Sequence, residues 1–378
     1  MTDVLIIGDS MRSAELRHEV PIAIPDPLLY AEVGGRRLVA VSSFEQGRID
    51  ALGTDLEVHP LEEFDYESLL REGLRSHELW PALWLRAARQ FGVTSAVVPI
   101  TFPAGHADHL RANGIELAVD QPHFDERRRV KNATELEGIR RACRAAEAGL
   151  AAGLDLLRSA DRSDGTLVVD GRPLTCERLK QAVEYAFGEH GAAAEEFIVS
   201  HGTQTAVGHD MGSGPIAADD IVLFDLFPRD RETGCFADFT RTFTLGPAPD
   251  EIREYHALSR QALELAVAEI RPGAEGKEIH AAVCEFFHEH GHKTQLHKEE
   301  DEVLRDGFYH ATGHGVGLEV HEEPGLGRLG GELVAGDVVA VEPGLYRHGY
   351  GGVRLEDLVL VTDDGAEVLT DFPYDLEL

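Results

Sequence analysis

The sequence predicts a two-domain α+β protein, in which a smaller α/β domain precedes a larger domain of helices and an antiparallel or mixed sheet. The chain has 378 residues, about two and a half times the length of a typical ~150-residue domain. Its first third alternates short apolar runs with a helical pattern, whereas the remainder has long amphipathic helices and segments of period two. Residues 125–131 are charged, as expected of a solvated connection. We therefore predict domains at 1–126 and 127–378.

Three buried strands and one helix are predicted in the first domain. The apolar runs Asp3–Ile7, Arg37–Val41 and Ser95–Ile100 are short and bounded by Gly, Ser or Pro, as buried strands are. Apolar residues recur at helical spacing over Leu79–Phe91, and Gly92 follows where a helix would end. This domain shows no dense cluster of His, Asp, Glu or Cys, so its sequence indicates no chemistry of its own.

Four helices are predicted in the second domain. The first begins at Thr134, because Thr134 and Glu137 fit a capping box, in which the two side chains satisfy free backbone N–H groups reciprocally. The other three are expected at Thr175–Glu189, Asp250–Ile270 and Lys277–His290. Pro-Gly or Gly follows the last two, as is common at helix ends.

Segments of period two separate and follow these helices, which indicates strands. They are Ile221–Phe224, Phe239–Leu245, Val338–Val341 and Val353–Val361. The turn-rich stretch 228–234 connects the first two, so we expect them to form an antiparallel hairpin in which Asp225 and Asp238 face each other.

The charge and the cysteines restrict the class of function. The chain has 68 Asp and Glu against 35 Lys and Arg, a formal net charge of −33. Phosphate binding needs a basic surface and none is visible, so we expect no nucleic-acid partner and no membrane surface. The four cysteines lie far apart without metal-binding spacing, and the N-terminus has no long apolar run. The cysteine pattern predicts reduced thiols. Together with the lack of a signal-peptide pattern, it predicts a cytoplasmic location.

Four acidic residues lie at or near strands of the second domain. Asp225 ends one apolar run and Asp238 begins the next strand. Glu342 follows the third strand and Glu356 lies within the fourth. A carboxylate is costly to bury unless it is paired or bound to a metal. One such residue is usually a solvated strand end, but four indicate a shared binding site.

Three histidines, His310, His314 and His321, lie within twelve residues of one another. The intervening glycines disfavour a helix and allow the backbone to approach a ligand closely. A fourth, His209, lies earlier in the chain. A single histidine is more often a hydrogen-bonded structural residue than a ligand, and the chain has 19 of them. The clustered segment is therefore the more specific signal.

Divalent metal ions account for this combination of residues. Two ions carry a charge of +4, which four carboxylates neutralise. A water molecule held between two such ions loses a proton near neutral pH. A shell of four carboxylates and one imidazole is rich in oxygen, which favours Mn²⁺ or Co²⁺, or Zn²⁺ where it is available. Without a cation the four acids would repel one another, and some would be protonated.

Five segments of the second domain together resemble one enzyme family. They are Lys131–Arg140, Asp238–Phe243, His310–Glu322, Val341–Tyr346 and Val353–Asp357. Their order is similar to that of the M24-type metallopeptidases, which include methionine aminopeptidases and Xaa-Pro peptidases. The resemblance spans residues 131–370 and implies a pita-bread, or creatinase-type, catalytic domain. The preceding domain makes the chain similar to the prolidase and aminopeptidase P branch, with its α/β creatinase-type N-terminal domain.

The resemblance also implies roles for individual residues. It implies a dinuclear metal site with five ligands, which are Asp225, Asp238, His314, Glu342 and Glu356. Glu342 would in addition handle the proton of the attacking water. His209 and His321 would hold the substrate backbone or the developing oxyanion, and His310 and Arg354 resemble substrate-binding groups of the Xaa-Pro branch. Arg354 and Glu356 are two residues apart on one predicted strand, so both should point to the same face.

The activity implied by the resemblance is that of a proline-specific metallo-exopeptidase using a hydroxide that bridges two divalent ions. Xaa-Pro dipeptidase and Xaa-Pro aminopeptidase activities are both open, as is Xaa-Pro carboxypeptidase-type specificity on the same site. The expected partners are short proline-containing peptides and a second copy of the chain in a homodimer. The alternatives are a creatinase-like hydrolase, whose branch lacks the metal shell, and a catalytically silent peptide-binding protein.

The first metal ligand departs from the family pattern. The family usually has Asp-x-Gly at this point, whereas this chain has Asp225-Leu-Phe-Pro followed by a longer turn. A hairpin loop tolerates insertion, so Asp225 is kept as a ligand. The altered turn affects the shape of the pocket beside Asp225, so the preferred substrate length is expected to differ from that of a standard dipeptidase.

Overall fold

The structure is a computed structural model that describes residues 2–378. The chain divides into two compact units, one extending to Arg128 and the other spanning Arg129–Leu378. Each unit buries hydrophobic clusters of its own. No helix among residues 2–378 is both long and apolar enough to cross a bilayer.

The first unit is an α/β structure around one mixed sheet. Its strands are β1 (Val4–Gly8), β2 (Leu28–Val33), β3 (Arg36–Val41), β4 (Leu56–Pro60), β5 (Ser95–Val98) and β6 (Glu116–Val119). Its helices are α1 (Ala14–Glu19), α2 (Ser43–Asp50), α3 (Tyr66–Arg71), α4 (Ser76–Phe91), α5 (Ala104–Ala112) and α6 (Gln121–Arg129), whose last residue opens the second unit. The strand order is β4-β3-β2-β1-β5-β6. Strand β2 is antiparallel to both neighbours, and the other pairs are parallel.

Both faces of this sheet are covered, which explains why its strands are nearly continuous apolar runs. Leu5 of β1 packs in one cluster with Leu83 of α4, whereas Val4 packs in a second cluster with Leu16 of α1. Alternate side chains of a strand point to opposite faces, so one strand serves both clusters.

The predicted elements of this unit are confirmed to within a few residues, with β1, β3, β5 and α4 in the expected places. Helix α4 ends at Gly92, whose φ of +85° is the left-handed conformation that glycine adopts easily. Strand β2 was not predicted although it is apolar. Strands β4 and β6 were not predicted because they are partly exposed and lack a clear pattern.

The second unit begins with helices and ends in antiparallel ladders. Its helices are α7 (Ala133–Arg158), α8 (Cys176–Glu189), α9 (Asp250–Glu269) and α10 (Gly276–Glu289). Its first strands are β7 (Asp161–Ser163), β8 (Thr166–Val169), β9 (Arg172–Pro173), β10 (Ala192–Ala193), β11 (Ile198–His201), β12 (Ile221–Asp225), β13 (Arg229–Asp230) and β14 (Thr240–Thr244). The remaining strands are β15 (Gly313–Gly315), β16 (Glu322–Leu326), β17 (Val338–Val341), β18 (Gly344–Arg347), β19 (Gly351–Arg354), β20 (Asp357–Val361) and β21 (Ala366–Val368).

Two antiparallel sheets of this unit carry the candidate site residues. One has the order β11-β12-β14, the other β16-β15-β17-β20-β21, and β18 pairs with β19. Helices α9 and α10 contribute Leu263, Val283 and Phe287 to a hydrophobic cluster that also contains Val339 of β17 and Val353 of β19. The helices thus cover the sheets from one side, and the strand ends remain available for polar chemistry.

The start of α7 differs from the prediction. The N-cap is Asn132, whose side chain accepts hydrogen bonds from the backbone N–H groups of Thr134 and Glu135 at 3.0 and 2.9 Å. The Glu135 carboxylate in turn accepts one from the Asn132 N–H. The expected pair, Thr134 and Glu137, has the same three-residue spacing and begins two residues later. Both pairs satisfy the capping rule, and the earlier one begins the helix.

The segment Val353–Val361 was predicted as one strand, and this prediction is wrong. The structure divides it into β19, which pairs with β18, and β20, which pairs with β17. Arg354 ends β19 and Glu356 lies in the break between the two strands. Contrary to the sequence prediction, Arg354 and Glu356 therefore do not lie on the same face of one strand.

Candidate metal centre

Asp225, Asp238 and Glu356 meet where two ladders end. Asp225 is the last residue of β12 and lies opposite Thr240 of β14, and Asp238 precedes Thr240 by two residues. The N–H of Glu356 donates to the Thr240 carbonyl at 3.1 Å, which joins the break after β19 to the same ladder. The predicted antiparallel pairing of these strands is confirmed, but Asp225 faces Thr240 and not Asp238. The longer turn after Asp225 forms β13, which pairs with β10. It leaves Asp225 at the end of the ladder and Asp238 two residues before the start of β14.

His314 and Glu342 are brought together by the β15–β17 pair. His314 lies opposite Ala340, and the N–H of Glu342 donates to the Thr312 carbonyl at 2.8 Å. A Cβ at Gly313 would lie 1.8 Å from the Ala340 carbonyl oxygen, so only glycine fits there. The sequence predicts that the glycines of this segment allow close approach of backbone to a ligand. At Gly313 the backbone that approaches closely is that of the neighbouring strand.

The ligand atoms of Asp238, His314 and Glu356 lie within 4.8 Å of one another. His314 Nε2 lies 3.6 Å from Asp238 Oδ2 and 3.8 Å from Glu342 Oε1. The Oε2 of Glu356 accepts a hydrogen bond of 2.5 Å from the Thr240 hydroxyl. Carboxylate oxygens and a neutral imidazole at these separations fit the donor set of a divalent cation.

Asp225 joins the cluster through Arg354. The guanidinium of Arg354 donates to Asp225 Oδ2, and its Nε lies 3.9 Å from Glu342 Oε2. Both Asp225 and Arg354 are buried, at 7% and 5% exposure. All five predicted ligands are therefore brought to one place, and a predicted substrate group supplies the positive charge among them.

The buried acids hold protons more tightly than ordinary carboxylates. Burial, followed by the charges of neighbouring acids including Asp225, raises the pKa of Asp238 and of Glu356 well above the usual range. Burial raises the pKa of Glu342 to about 7, against the opposing charge of Arg354. A divalent cation would reverse these shifts, because positive charge favours the ionised form.

The imidazole of His314 is held neutral. Burial is the main reason that its pKa falls to about 3, and its Nδ1 lies 3.1 Å from the Gly315 carbonyl oxygen. A hydrogen bond to that carbonyl places the proton on Nδ1 and leaves Nε2 with a free lone pair. Nε2 is also the atom nearest to Asp238 and Glu342. Neutral imidazole with this tautomer is what metal ligation requires.

His310 lies beside the cluster. Its Nδ1 is 3.8 Å from Glu342 Oε2, and its Nε2 is 2.9 Å from the Tyr346 hydroxyl. Burial lowers the pKa of His310 to about 3, so the ring is neutral. The Tyr346 hydroxyl is also 3.4 Å from Arg354 Nη1. His310 and Arg354 thus share one tyrosine next to the acids.

His321 and His209 lie on the more open side of the site. The His321 ring packs edge-on against His314, with centroids 4.1 Å apart. Burial, and then the nearby His209, lowers the pKa of His321. His209 lies in an exposed turn after a short 3₁₀ helix, Gly202–Ala206. It acts electrostatically on both His310 and His321 and belongs to the same neighbourhood.

Three further side chains of this neighbourhood are not predicted from the sequence. Thr240 donates to Glu356, Tyr346 contacts His310 and Arg354, and Tyr309 lies against Tyr346 with ring centroids 4.7 Å apart. Thr240 was detectable from the sequence, because it follows Asp238 by two residues, which is the period of a strand. Tyr346 lies on β18, whose pairing with β19 was not predicted.

Comparison with known proteins places this arrangement in a family. The profile of metallopeptidase family M24 matches residues 137–363, which is more than half of the chain and includes all five candidate ligands. The chain belongs to metallopeptidase family M24. The family is one of metal-dependent peptidases, and the predicted resemblance is confirmed.

Similar family members include peptidases from bacteria and archaea. The chain is 35% identical over 198 residues to the uncharacterized peptidase YqhT of Bacillus subtilis, covering 51% of this chain and 52% of that protein. It is 30% identical over 245 residues to an Xaa-Pro dipeptidase of Pyrococcus furiosus, covering 64% of this chain and 63% of that protein. The chain thus spans between half and two thirds of the length of these two curated relatives.

Solved structures resemble the whole chain. The prolidase of Pyrococcus horikoshii OT3 has a TM-score of 0.76 at 23% identity, covering 100% of this chain and 95% of that chain. An X-Pro aminopeptidase of Thermotoga maritima MSB8 has a TM-score of 0.79 at 20% identity, covering 100% and 98%. These likenesses confirm the predicted α+β pita-bread fold of the M24 family.

Proposed function

We propose that this protein is a proline-specific metallo-exopeptidase that cleaves short peptides next to proline, as an Xaa-Pro dipeptidase or Xaa-Pro aminopeptidase. The observation that carries the proposal is the convergence of four carboxylates with His314, bordered by His310, His321 and Arg354. The relatives named as Xaa-Pro dipeptidases support the same substrate class.

The metal site would hold two divalent ions per subunit, with Mn²⁺ preferred and Co²⁺ or Zn²⁺ as alternatives. Its proposed ligands are Asp225, Asp238, His314, Glu342 and Glu356. Bound ions supply Lewis-acid polarisation of the scissile carbonyl and a nucleophile available near neutral pH. The raised pKa values of the acids and the neutral Nε2 of His314 support this assignment.

Glu342 is the residue that we assign to proton transfer. Its carboxylate lies 3.8 Å from His314 Nε2 and 3.9 Å from Arg354 Nε, so it borders both the proposed metal ligands and a proposed substrate group, where a general base has to be. It would take the proton of the attacking water and deliver it to the departing proline nitrogen. Arg354 and His310, both within 4 Å of Glu342, would orient the substrate beside it.

His209 and His321 would bind the substrate backbone or the oxyanion that develops on the carbonyl. Both lie on the open side of the cluster, and a donor aimed at developing charge is worth most in such a partly desolvated site. The low pKa of His321 keeps it neutral, so it would donate one hydrogen bond and carry no charge.

Aromatic rings beside the acids support selectivity for proline. Tyr309, His310 and Tyr346 lie against one another with centroid separations of 4.7–5.7 Å. A pyrrolidine ring is apolar and its peptide nitrogen has no N–H, so it is recognised by contact area and not by a backbone hydrogen bond. The surface formed by these three aromatic rings suits the pyrrolidine ring of proline better than it suits a charged side chain.

Further proposals concern the location, the assembly and the domain boundaries of the chain. The four cysteines are free and buried, which agrees with a cytoplasmic, reducing location. The homodimer and the division into domains at 1–126 and 127–378 stay predictions. A creatinase-like hydrolase or a silent peptide-binding protein would not need five metal ligands in this arrangement. Carboxypeptidase-type specificity uses the same site and has to be decided by assay.

The decisive experiment is hydrolysis of matched peptide panels. Xaa-Pro dipeptides, Xaa-Pro-Yaa tripeptides and longer peptides ending in Yaa-Pro are compared with the same peptides carrying alanine for proline, each with Mn²⁺, Co²⁺ and Zn²⁺. We expect cleavage only at the bond next to proline and only with metal. Glu356→Gln, which removes one ligand charge, is the inactive control. Equal cleavage of the alanine series, or cleavage by this variant, would contradict the proposal.

A further inference from the structure

His280 lies beneath the metal centre and contacts no proposed ligand directly. It is on the inner face of α10 and fully buried, at 0% exposure. Its Nδ1 lies 2.9 Å from the hydroxyl of Thr312, which is also fully buried. Its Nε2 lies 3.5 Å from Cys284 Sγ. The ring also hydrogen-bonds to the Gln295 side chain. Of its partners, Thr312 is the one that belongs to the segment between two site histidines.

Thr312 lies midway between His310 and His314, and its backbone is bonded on both sides. Its N–H donates to the Leu326 carbonyl of β16 at 2.9 Å, and its carbonyl accepts from the N–H of Glu342 at 2.8 Å. A force on the Thr312 side chain is therefore transmitted to the backbone of His314 and of Glu342. Fixing one hydroxyl fixes the positions of two metal ligands.

A second set of contacts holds the preceding residues from the same side. Phe308 is fully buried and packs against both His280 and His310, with ring centroids 5.8 and 5.0 Å away. Gln295 contacts His280, and its side-chain amide donates to the Tyr309 carbonyl at 2.8 Å. The whole stretch 308–312 is thus held by His280 and its neighbours.

We propose that His280 is a positioning residue that sets the placement of His310, His314 and Glu342 through its hydrogen bond to Thr312. The inference rests on the proposed metal centre. Groups that orient metal ligands through a hydrogen bond typically affect metal affinity or activity 10- to 100-fold, roughly, when removed. His280 acts through Thr312 and does not touch the substrate or the metal ligands.

The test removes the hydrogen bond between His280 and Thr312 by changing one partner at a time. Thr312→Val replaces the hydroxyl with a methyl group of similar size, and His280→Phe keeps an aromatic ring without ring nitrogens. His280→Asn keeps a polar group near the position of Nδ1. His292→Phe, at a half-buried histidine after α10, controls for loss of an imidazole from this region. Mn²⁺ affinity is measured by titration calorimetry with Mn²⁺ alone, and kcat and KM with an Xaa-Pro peptide.

We expect Thr312→Val and His280→Phe each to weaken Mn²⁺ binding and lower kcat by about 10-fold or more, while KM changes little. His280→Asn should recover most of both losses, and His292→Phe should match the wild type. The double variant should be no worse than His280→Phe alone, because Thr312→Val removes a hydrogen bond that His280→Phe has already removed.

Several outcomes would overturn the proposal. Wild-type Mn²⁺ affinity in Thr312→Val would do so, as would equal losses in His280→Asn and His280→Phe, or a loss of thermal stability with metal affinity unchanged. If His280→Phe fails to fold, Thr312→Val decides alone. A wild-type protein that binds Mn²⁺ but cleaves no Xaa-Pro peptide would contradict the proposed function, and the Mn²⁺ titrations would still decide the role of His280.

Discussion

Arg354 donates a hydrogen bond to Asp225, and both side chains are buried among the acids of the candidate metal centre. The guanidinium thus balances negative charge at the place where divalent cations are proposed to bind. Arg354 also approaches Glu342 and the Tyr346 hydroxyl. Its removal should therefore have different effects on the metal-free and the metal-loaded protein.

The first prediction concerns Arg354→Ala. In chelator-treated protein this variant leaves Asp225 buried without its partner, so the free energy of unfolding should fall by about 3–5 kcal/mol. Mn²⁺ should restore much of the loss, because the ions replace the missing positive charge. Denaturant unfolding with and without Mn²⁺ measures both values. Arg354→Lys is the control that keeps the charge without the planar fork. An equal loss of unfolding free energy in the chelator-treated and the Mn²⁺-loaded protein would contradict the prediction.

The second prediction tests Glu356 as a metal ligand. Glu356→Gln should lower bound Mn²⁺ and reduce hydrolysis by roughly 10²-fold or more, because a metal ligand contributes more than the groups that orient it. Glu367→Gln is the matched control, since Glu367 is an exposed carboxylate on β21 paired with Arg140. Elemental analysis after gel filtration gives the metal content. Full Mn²⁺ occupancy in Glu356→Gln would remove Glu356 from the ligand set.

The third prediction tests His321 as a substrate-contacting group. His321→Ala should leave the Mn²⁺ content near that of the wild type but lower kcat by roughly 10²-fold, as expected for a lost transition-state contact. His348→Ala, at an exposed residue of the β18–β19 loop, should leave both unchanged. Metal analysis and steady-state kinetics of the two variants and the wild type measure both effects. Activity close to that of the wild type would make His321 a structural residue.

The fourth prediction is a pH dependence of the metal-free protein. The folded pKa of Glu342 is about 7 and its ordinary value is 4.5, so the folded state binds more protons than the unfolded state between these pH values. The stability contributed by this group is therefore present at pH 4.5 and is lost as pH rises towards 7. Raised pKa values of Asp238 and Glu356 act in the same direction.

Glu342→Gln isolates this effect, because the amide does not titrate. The free energy of unfolding of chelator-treated wild type, minus that of the variant, should decrease as pH rises from 4.5 to 7. With Mn²⁺ the wild type should instead gain stability over the same range, since ligation favours the ionised acids. Urea unfolding at closely spaced pH values provides the data. A difference independent of pH would show that Glu342 has an ordinary pKa.

The residues of the candidate site could be predicted from the sequence more fully than the strand pairings and contacts that hold them in place. The acids and histidines could be found because a carboxylate beside an apolar strand is locally unusual. The division of Val353–Val361 could not be found, because alternation identifies a strand without identifying its partner. The cap at Asn132 was missed since two overlapping pairs satisfy the same rule. His280 carries no local signal, because its partner Thr312 is 32 residues away.

The ladders that assemble the centre join residues far apart in sequence, and this has a consequence for how the protein folds. Thr240 and Glu356 are 116 residues apart, and so long a separation makes the closing contact entropically slow. An intermediate with only the β11-β12-β14 sheet would hold two aspartates and lack the other three ligands. Tight metal uptake during refolding should therefore be a late event, and its rate should report completion of the native topology.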